Sequence, residues 1–210
     1  MNAPEQLGRL FVITGAQAAG KSTVGQALAE GLRKAVFIDG DTIGGMVASG
    51  AAGMSQPPTV EAIEQLFLRY AGALTLADVY RAAGFDAVIA DNIFGTFLDD
   101  FLSIAAPAEV HLVMLTPSVD AIYQREEGRR KNAYRDGFTV ESLVDSVEHG
   151  TRRVGLWIDN TNLSVAQTIT QILQRADEAL VDTTEFDTSE FDTAEFDGSH
   201  SVPDETDDLY

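Results

Sequence analysis

Residues 15–23 read Gly15-Ala16-Gln17-Ala18-Ala19-Gly20-Lys21-Ser22-Thr23. They match the pattern G-x-x-x-x-G-K-[ST], in which small residues let successive backbone N–H groups turn inward around phosphate oxygens. A short apolar run, LFVIT at residues 10–14, precedes the pattern and a helical run at residues 21–32 follows it. A strand, a glycine-rich turn and a helix in this order place the N–H groups at a helix N-terminus, where anions bind. The stretch therefore predicts a phosphate-binding loop made by all nine residues.

Two side chains at the end of this stretch carry further chemistry. We expect Lys21 to reach the β- and γ-phosphates of a nucleoside triphosphate as a mobile positive charge. We expect the Ser22 hydroxyl to ligate Mg²⁺. The alternative interpretation is an ordinary glycine-rich turn between a strand and a helix, which the strand and helix on either side of the pattern disfavour.

Four further apolar runs repeat the strand pattern, and helical stretches separate them. The runs lie at residues 35–38, 87–90, 110–115 and 154–158. The clearest helix covers residues 60–83, with apolar residues at i, i+3, i+4 spacing and Thr59 as its N-cap. Strands that alternate with helices predict a parallel α/β sheet with right-handed crossovers. Ligands of such sheets bind beyond the carboxyl ends of the strands.

Acidic residues follow two of these strands. Asp91 comes directly after the third strand and suits the organisation of a metal ion, directly or through water. Asp41 follows the second strand and suits the positioning or deprotonation of an acceptor hydroxyl. The alternative for Asp41 and the nearby Asp39 is a capping role at the helix that begins near Thr42. We favour the capping role for Asp39 and the acceptor role for Asp41.

A basic segment lies in the second half of the chain, and its residues are Arg125, Arg129, Arg130, Lys131 and Arg135. Glycines at 128 and 137 make it a candidate lid that closes over a transferring phosphoryl group, with Arg129 as the preferred contact. The alternative is a surface helix whose arginines pair with neighbouring glutamates at little energetic value. Arg69 and Arg81 on the long helix are further candidates for acceptor binding, although a solvated helix face is the favoured interpretation.

Composition limits the classes of function. The chain has 210 residues, a net charge of −19 and no cysteine, which excludes a disulfide scaffold, a zinc–thiolate site and a cysteine nucleophile. The excess of acid argues against nucleic acid or an anionic membrane as partner, since both require a basic surface. The N-terminus does not follow the pattern of a signal peptide, and no apolar run approaches membrane-spanning length. We therefore expect a cytoplasmic protein.

The acid is concentrated at the C-terminus. Residues 181–210 contain eleven acidic residues and no Lys or Arg, and Glu-Phe-Asp recurs at residues 185–187, 190–192 and 195–197. A period of five fits neither a helix nor a strand, so we predict a folded domain at residues 1–180 and a disordered acidic tail at residues 181–210. The alternative is an acidic–aromatic motif that docks on a protein partner, which we consider the weaker interpretation.

Five motifs together resemble the small P-loop phosphotransferases, in particular the group around chloramphenicol phosphotransferase. They are GAQAAGKST at 15–23, FIDGDTI at 37–43, VIADNIF at 88–94, REEGRR at 125–130 and GLWIDNTNLS at 155–164. Zeta toxins, adenylyl-sulfate kinase and gluconate kinase are more distantly similar. The resemblance implies a three-layer P-loop sandwich, a five-stranded parallel sheet in the order 2-3-1-4-5, and ATP with Mg²⁺ as donor. It matches Asp41 to the residue proposed to activate the acceptor hydroxyl in the chloramphenicol enzyme.

The acceptor is left open, because residues 42–59 match no motif of that group. We expect a kinase that phosphorylates a hydroxyl of a small molecule, with an antibiotic or a nucleotide-sugar as candidates. One alternative is a regulatory module that binds or slowly hydrolyses a nucleotide. Another is a nucleoside-monophosphate kinase.

Overall fold

A computed structural model describes residues 7–127 and 137–186. The strands are β1 (Leu10–Gly15), β2 (Ala35–Asp39), β3 (Asp86–Ala90), β4 (Glu109–Leu115), β5 (Leu156–Ile158) and β6 (Leu180–Asp182). The helices are α1 (Lys21–Gly31), α2 (Gly40–Gly44), α3 (Val60–Ala82), α4 (Phe97–Ala105), α5 (Val119–Glu127), α6 (Val140–Glu148), α7 (Val165–Gln174) and α8 (Ala176–Ala179). A 3₁₀ helix at Thr183–Phe186 follows the last strand.

The first five strands form a parallel sheet in the order β2-β3-β1-β4-β5, which confirms the predicted fold and strand order. β1 lies at the centre, where Val12 pairs with Ile89 of β3 and with Leu112 of β4. β6 was not predicted, and it runs antiparallel to the start of β4. The carboxyl ends of β1, β2 and β3 therefore meet at one edge of the sheet, where the predicted site residues follow them.

Helices cover both faces of the sheet, because β1 is apolar on both. Leu10 and Val12 pack with residues of α3 and α4, including Tyr70 and Phe101. Phe11 and Ile13, which alternate with these two residues along β1, pack with α1 and α7 on the opposite face. Each fully buried aliphatic or aromatic side chain in these two layers contributes about 1.5–3 kcal/mol relative to exposure. No helix among the described residues is long and apolar enough to cross a membrane.

Helix boundaries follow local capping chemistry. α3 begins where the sequence predicts, because the Thr59 hydroxyl accepts a hydrogen bond from the Ala62 N–H at 3.1 Å. α5 begins at Val119. A helix with Pro117 as its first residue would begin two residues earlier. The Ser118 hydroxyl accepts from the Ala121 N–H at 3.3 Å and caps that helix instead.

Residues 181–186, which were predicted from the sequence to belong to the tail, are folded as the end of β6 and a 3₁₀ helix. Val181 pairs with Val110 in β6, and Phe186 is only 7% exposed in the core on the α3–α4 face. Three residues of this stretch, Val181, Thr183 and Phe186, are buried among exposed neighbours, so its average composition conceals three anchoring positions. Residues 187–210, with the second and third Glu-Phe-Asp units, lie outside the described residues.

Candidate functional site

The phosphate loop joins β1 to α1 in a backbone conformation that requires its glycines. Gly15 and Gly20 have φ of 140° and 100°, in the region that side chains avoid. A Cβ on Gly15 would also collide with the carbonyl oxygen of Leu115 in β4. Ala18 adopts φ of 63°, so the loop turns tightly even at a non-glycine position. These turns bring the loop N–H groups to the start of α1.

The start of α1 is electrostatically suited to an anion. α1 has 11 residues and no acidic residue in its first turn, so its positive dipole end is not neutralised locally. The Lys21 ammonium donates to the Ala16 carbonyl at 2.9 Å, which holds its charge over the loop. Ser22 and Thr23 are exposed at the same helix end. The predicted loop residues therefore come together as a surface whose electrostatics suit an anion.

Arg125 and Asn160 brace the loop from the other side. The carbonyl of Ala19 accepts a hydrogen bond from Arg125 at 3.1 Å and one from the Asn160 side chain at 2.9 Å. Arg125 also donates to the Asn160 carbonyl at 2.8 Å, so it ties the segment after β5 to the phosphate loop. Arg129, the preferred lid residue, lies outside the described residues, together with the other three basic residues of that segment.

The two aspartates near the second strand have different surroundings. Asp39 caps α2, since its carboxylate accepts from the Asp41 N–H at 3.3 Å, as the capping interpretation predicts. Asp41 is exposed in the first turn of α2. It borders a polar cleft together with Lys21, Ser22 and Asp91. Gln17, Ala18 and Gly20 of the loop line the same cleft, so the structure brings seven of the predicted site residues together there.

Asp91 is a buried carboxylate with one satisfied and one unsatisfied oxygen. Its Oδ1 accepts from the Asn92 N–H at 2.7 Å and lies 2.8 Å from a terminal nitrogen of Arg69. Its Oδ2 is buried without a hydrogen-bond partner. Burial raises the pKa of the Asp91 carboxyl above its ordinary value, and the Arg69 guanidinium opposes that rise by stabilising the ionised form. A Cβ on Gly40 would collide with this carboxylate, so α2 approaches it through a glycine.

Hydrogen bonds from neighbouring elements hold the segment after β3 in place. The Thr14 hydroxyl donates to the Ile93 carbonyl and accepts from the Ile93 N–H, both at 2.8 Å. The Tyr70 hydroxyl donates to the Asn92 carbonyl at 2.8 Å. Burial raises the pKa of Tyr70 far above its ordinary value, so this hydroxyl keeps its proton and remains a donor. Asp91 and Asn92 are therefore held rigidly at the cleft.

A second cleft of about 230 Å³ opens beside the first and shares two of its residues, Gln17 and Asn92. Its remaining lining residues are Met54, Leu66, Arg69, Phe94, Phe97, Phe138 and Leu143. Three phenylalanines and three aliphatic side chains make this wall predominantly apolar. The Nε of Arg69 and the Oδ1 of Asn92 are buried there without hydrogen-bond partners.

Neither arginine of α3 lies on a solvated helix face, so the favoured interpretation of both is wrong. The Arg69 side chain is 19% exposed, pairs with Asp91 and lines the second cleft. Arg81 is buried and donates to the Gly8 carbonyl at 2.8 Å, before the start of β1. Arg81 anchors the N-terminal segment, away from the cleft.

The oxygen atoms at the polar cleft fit a magnesium ion. Mg²⁺ takes hard oxygen ligands and commonly uses only one or two protein side chains, with water and substrate phosphates completing its shell. The unpartnered Oδ2 of Asp91 and the exposed hydroxyl of Ser22 are such ligands at one cleft. Within residues 7–127 and 137–186 no cluster of three His, Cys, Asp or Glu residues could hold a metal ion without a substrate.

The sheet order, the loop and the clefts at its carboxyl edge define the fold as that of the small P-loop kinases. A sugar kinase from a Janibacter species has a TM-score of 0.61 and 18% identity, covering 82% of this chain and 96% of its own. The tunicamycin resistance protein of Deinococcus radiodurans has a TM-score of 0.60 and 19% identity, covering 83% and 98%. The APS kinase of Mycobacterium tuberculosis, in complex with AMPPNP and APS, has a TM-score of 0.57 and 13% identity, covering 81% and 98%.

At these identities the likeness concerns the fold. No protein-family model matches the sequence, and a comparison with curated protein sequences finds no significant match.

Proposed function

We propose that this chain is an ATP- and Mg²⁺-dependent kinase that transfers a phosphoryl group to a hydroxyl of a small molecule. The observation that carries the proposal is the adjacency of two clefts, one polar at the phosphate loop and one apolar, which share Gln17 and Asn92. A molecule in the apolar cleft would present its hydroxyl to a phosphate held by the loop. Positioning of this kind supplies most of the catalysis of phosphoryl transfer. Such a reaction would take place in the cytoplasm, where ATP is available.

The donor half of the reaction uses the loop and the start of α1. Lys21 would exchange its contact with the Ala16 carbonyl for the phosphate oxygens, and the loop N–H groups would hold the charge that develops on the leaving phosphate. Ser22 and Asp91 would hold Mg²⁺, which supplies charge neutralisation on the phosphates when bound. Arg125 stabilises the loop conformation through its hydrogen bond to the Ala19 carbonyl. We retain Arg129 as the proposed contact to the transferring phosphoryl group.

The acceptor half uses Asp41. Its exposed carboxylate borders the polar cleft and can accept a hydrogen bond from the acceptor hydroxyl. The hydroxyl oxygen forms its bond to the γ-phosphorus, its proton passes to Asp41, and the bond to the β-phosphate oxygen breaks. Asp91 is poorly suited to this role, because it is buried and already engaged by Arg69.

The lining of the second cleft favours an uncharged, ring-bearing alcohol as acceptor. Arg69 is the one charged residue among the described residues of that lining, and Asp91 neutralises it at 2.8 Å. An apolar cavity of about 150 Å³ holds a benzene ring, so about 230 Å³ has room for a ring with substituents. The free Nε of Arg69 and Oδ1 of Asn92 offer one donor and one acceptor to a neutral polar group. A nucleoside monophosphate or a nucleotide-sugar would bring phosphate charge that the described lining does not balance.

A phosphotransfer screen tests this function. ADP release is measured with aromatic alcohols, polyols, nucleotide-sugars and nucleoside monophosphates as acceptors, and we expect the aromatic alcohols to give the highest kcat/KM. Lys21→Ala should abolish transfer and weaken ATP binding. Asp41→Asn should lower the rate of phosphoryl transfer at least about a hundredfold and leave ATP binding nearly intact, as expected for loss of a general base. Full turnover by Asp41→Asn would refute its assigned role, and ADP release that no acceptor increases would favour the regulatory module.

A further inference from the structure

The last described residues of the chain are anchored to the domain by two side chains. Thr183 is fully buried, and its hydroxyl donates to the Ala108 carbonyl at 2.7 Å. The Phe186 ring is buried in the core on the α3–α4 face, with the Arg152 guanidinium 4.9 Å from its centroid. We call residues 182–186 the seated unit. We call its receptor, formed by the Ala108 carbonyl, Arg152 and the apolar surface next to α4, the seat.

The seated unit shapes its own turn. The Asp182 carboxylate accepts from the Thr184 N–H at 3.0 Å and from the Thr184 hydroxyl at 2.7 Å. These contacts are local, so any segment with the same residues at the same spacing would form them too. Asp182, Thr184 and Glu185 are exposed, and only the second and fifth positions of the unit are buried. The seat therefore recognises Asp-Thr-x-Glu-Phe chiefly through its Thr and its Phe.

The same pattern follows twice more without a gap. Residues 187–191 read Asp-Thr-Ser-Glu-Phe and residues 192–196 read Asp-Thr-Ala-Glu-Phe. The Thr and Phe that the seat contacts are the same in all three units. The single position that differs is the third, which carries Thr184, Ser189 and Ala194 and is exposed in the seated unit. What the seat requires is thus present three times in the sequence.

We propose that the seat is a binding site for Asp-Thr-x-Glu-Phe segments, and that residues 187–196 of the same chain supply two further ligands for it. Attachment to the same chain gives these units a high effective concentration at the seat. Seating the second unit requires five residues to loop out, and the entropic cost of closing a loop rises only slowly with its length. Ser189 retains the hydroxyl that Thr184 offers to its aspartate, whereas Ala194 lacks it. The affinity for the seat should therefore fall from the first unit to the third.

The test uses full-length variants in thermal unfolding. Replacing all three phenylalanines, Phe186, Phe191 and Phe196, by Ala should lower the melting temperature by roughly 10 °C, the scale expected for loss of a buried phenylalanine in a chain of this length. Phe186→Ala alone should lose less than half of that, because the second unit takes the seat. The double variant Phe186→Ala/Phe191→Ala should fall between the two. The control Phe191→Ala/Phe196→Ala should melt like the wild type.

Hydrogen exchange gives a second readout, since the amides of residues 188–191 should gain protection in Phe186→Ala and not in the control. The proposal is wrong if Phe186→Ala has the same melting temperature as the triple variant or fails to fold. It is also wrong if those amides gain no protection. If the melting temperature of Phe186→Ala rises with protein concentration, the unit that occupies the seat comes from a second copy of the chain. That result would overturn the same-chain assignment. A triple variant that fails to fold beside a folded Phe186→Ala supports the proposal.

Discussion

The ion pair between Arg69 and Asp91 predicts strong energetic coupling between two residues that are 22 positions apart in sequence. The Asp91 side chain is 2% exposed and that of Arg69 19%, with 2.8 Å between the charged atoms. Arg69→Met removes the cation and leaves a buried carboxylate whose remaining described partner is the Asn92 N–H. Breaking a buried pair from one side costs about 3–5 kcal/mol. Because Arg69 is partly exposed and that hydrogen bond remains, we expect the lower end, about 3 kcal/mol.

The measurement is a double-mutant cycle by urea unfolding, without nucleotide or Mg²⁺. Asp91→Asn loses a charge-assisted contact and should cost about 1–2 kcal/mol. The double variant should cost less than the sum of the two single variants, with a coupling energy of about 2 kcal/mol. The matched control is the pair Arg9–Asp86 at 2.7 Å, in which Arg9 is 45% exposed. Its coupling should stay below about 1 kcal/mol, as for other solvated pairs.

Additive costs at Arg69 and Asp91, within about 0.4 kcal/mol, would refute the reasoning. That result would mean that water or another group already satisfies the carboxylate. Equal coupling in the two pairs would show that burial is not the cause. Raising the salt concentration should reduce the coupling of the control pair and leave that of the buried pair nearly unchanged.

Three further predictions concern other parts of the fold. Gly40→Ala should lower the free energy of unfolding by about 1–3 kcal/mol, because the added Cβ collides with the buried Asp91 carboxylate. Gly53→Ala should not, because the space around Gly53 is open. Urea unfolding of both variants checks this. Burial lowers the pKa of His111 from its ordinary 6.5, so the folded state binds fewer protons than the unfolded state, and stability should fall as the pH drops below about 6.5. In a melting series over pH, His111→Gln should flatten that slope, and an unchanged slope would contradict the assignment to His111. A chain that ends at Phe186 should melt within about 2 °C of the full chain, whereas one that ends before β6 should lose far more, since it lacks the buried residues Val181, Thr183 and Phe186. Calorimetry of both truncations decides this.

Local signals in the sequence were sufficient for the central part of the fold. The phosphate loop is contiguous, so its glycines, Lys21 and Ser22 can be recognised without any tertiary information. α3 could be predicted with its Thr59 cap because apolar periodicity and capping act within a few residues. The strand order followed from the resemblance to P-loop phosphotransferases, and the observed pairing confirms it.

Tertiary contacts account for what the sequence did not reveal. Arg69 resembles any arginine on a helix surface until its partner Asp91 is known to follow the neighbouring strand. The apolar cleft combines residues from Met54 to Leu143, and no local period connects them. The seated unit was assigned to the tail because its acids dominate its composition, although its Thr183 and Phe186 are buried. In each case the informative contact joins residues that are far apart in the chain.

The central claim is that the two adjacent clefts together transfer a phosphoryl group to an alcohol. The most direct measurement is ³¹P NMR and mass analysis of the products after incubation with ATP, Mg²⁺ and a neutral aromatic alcohol. We expect a new phosphate monoester of that alcohol, formed in step with ADP and absent when Mg²⁺ is chelated or when Asp41→Asn replaces the wild type. ATP converted only to ADP and free phosphate, across neutral and anionic alcohols alike, would contradict it.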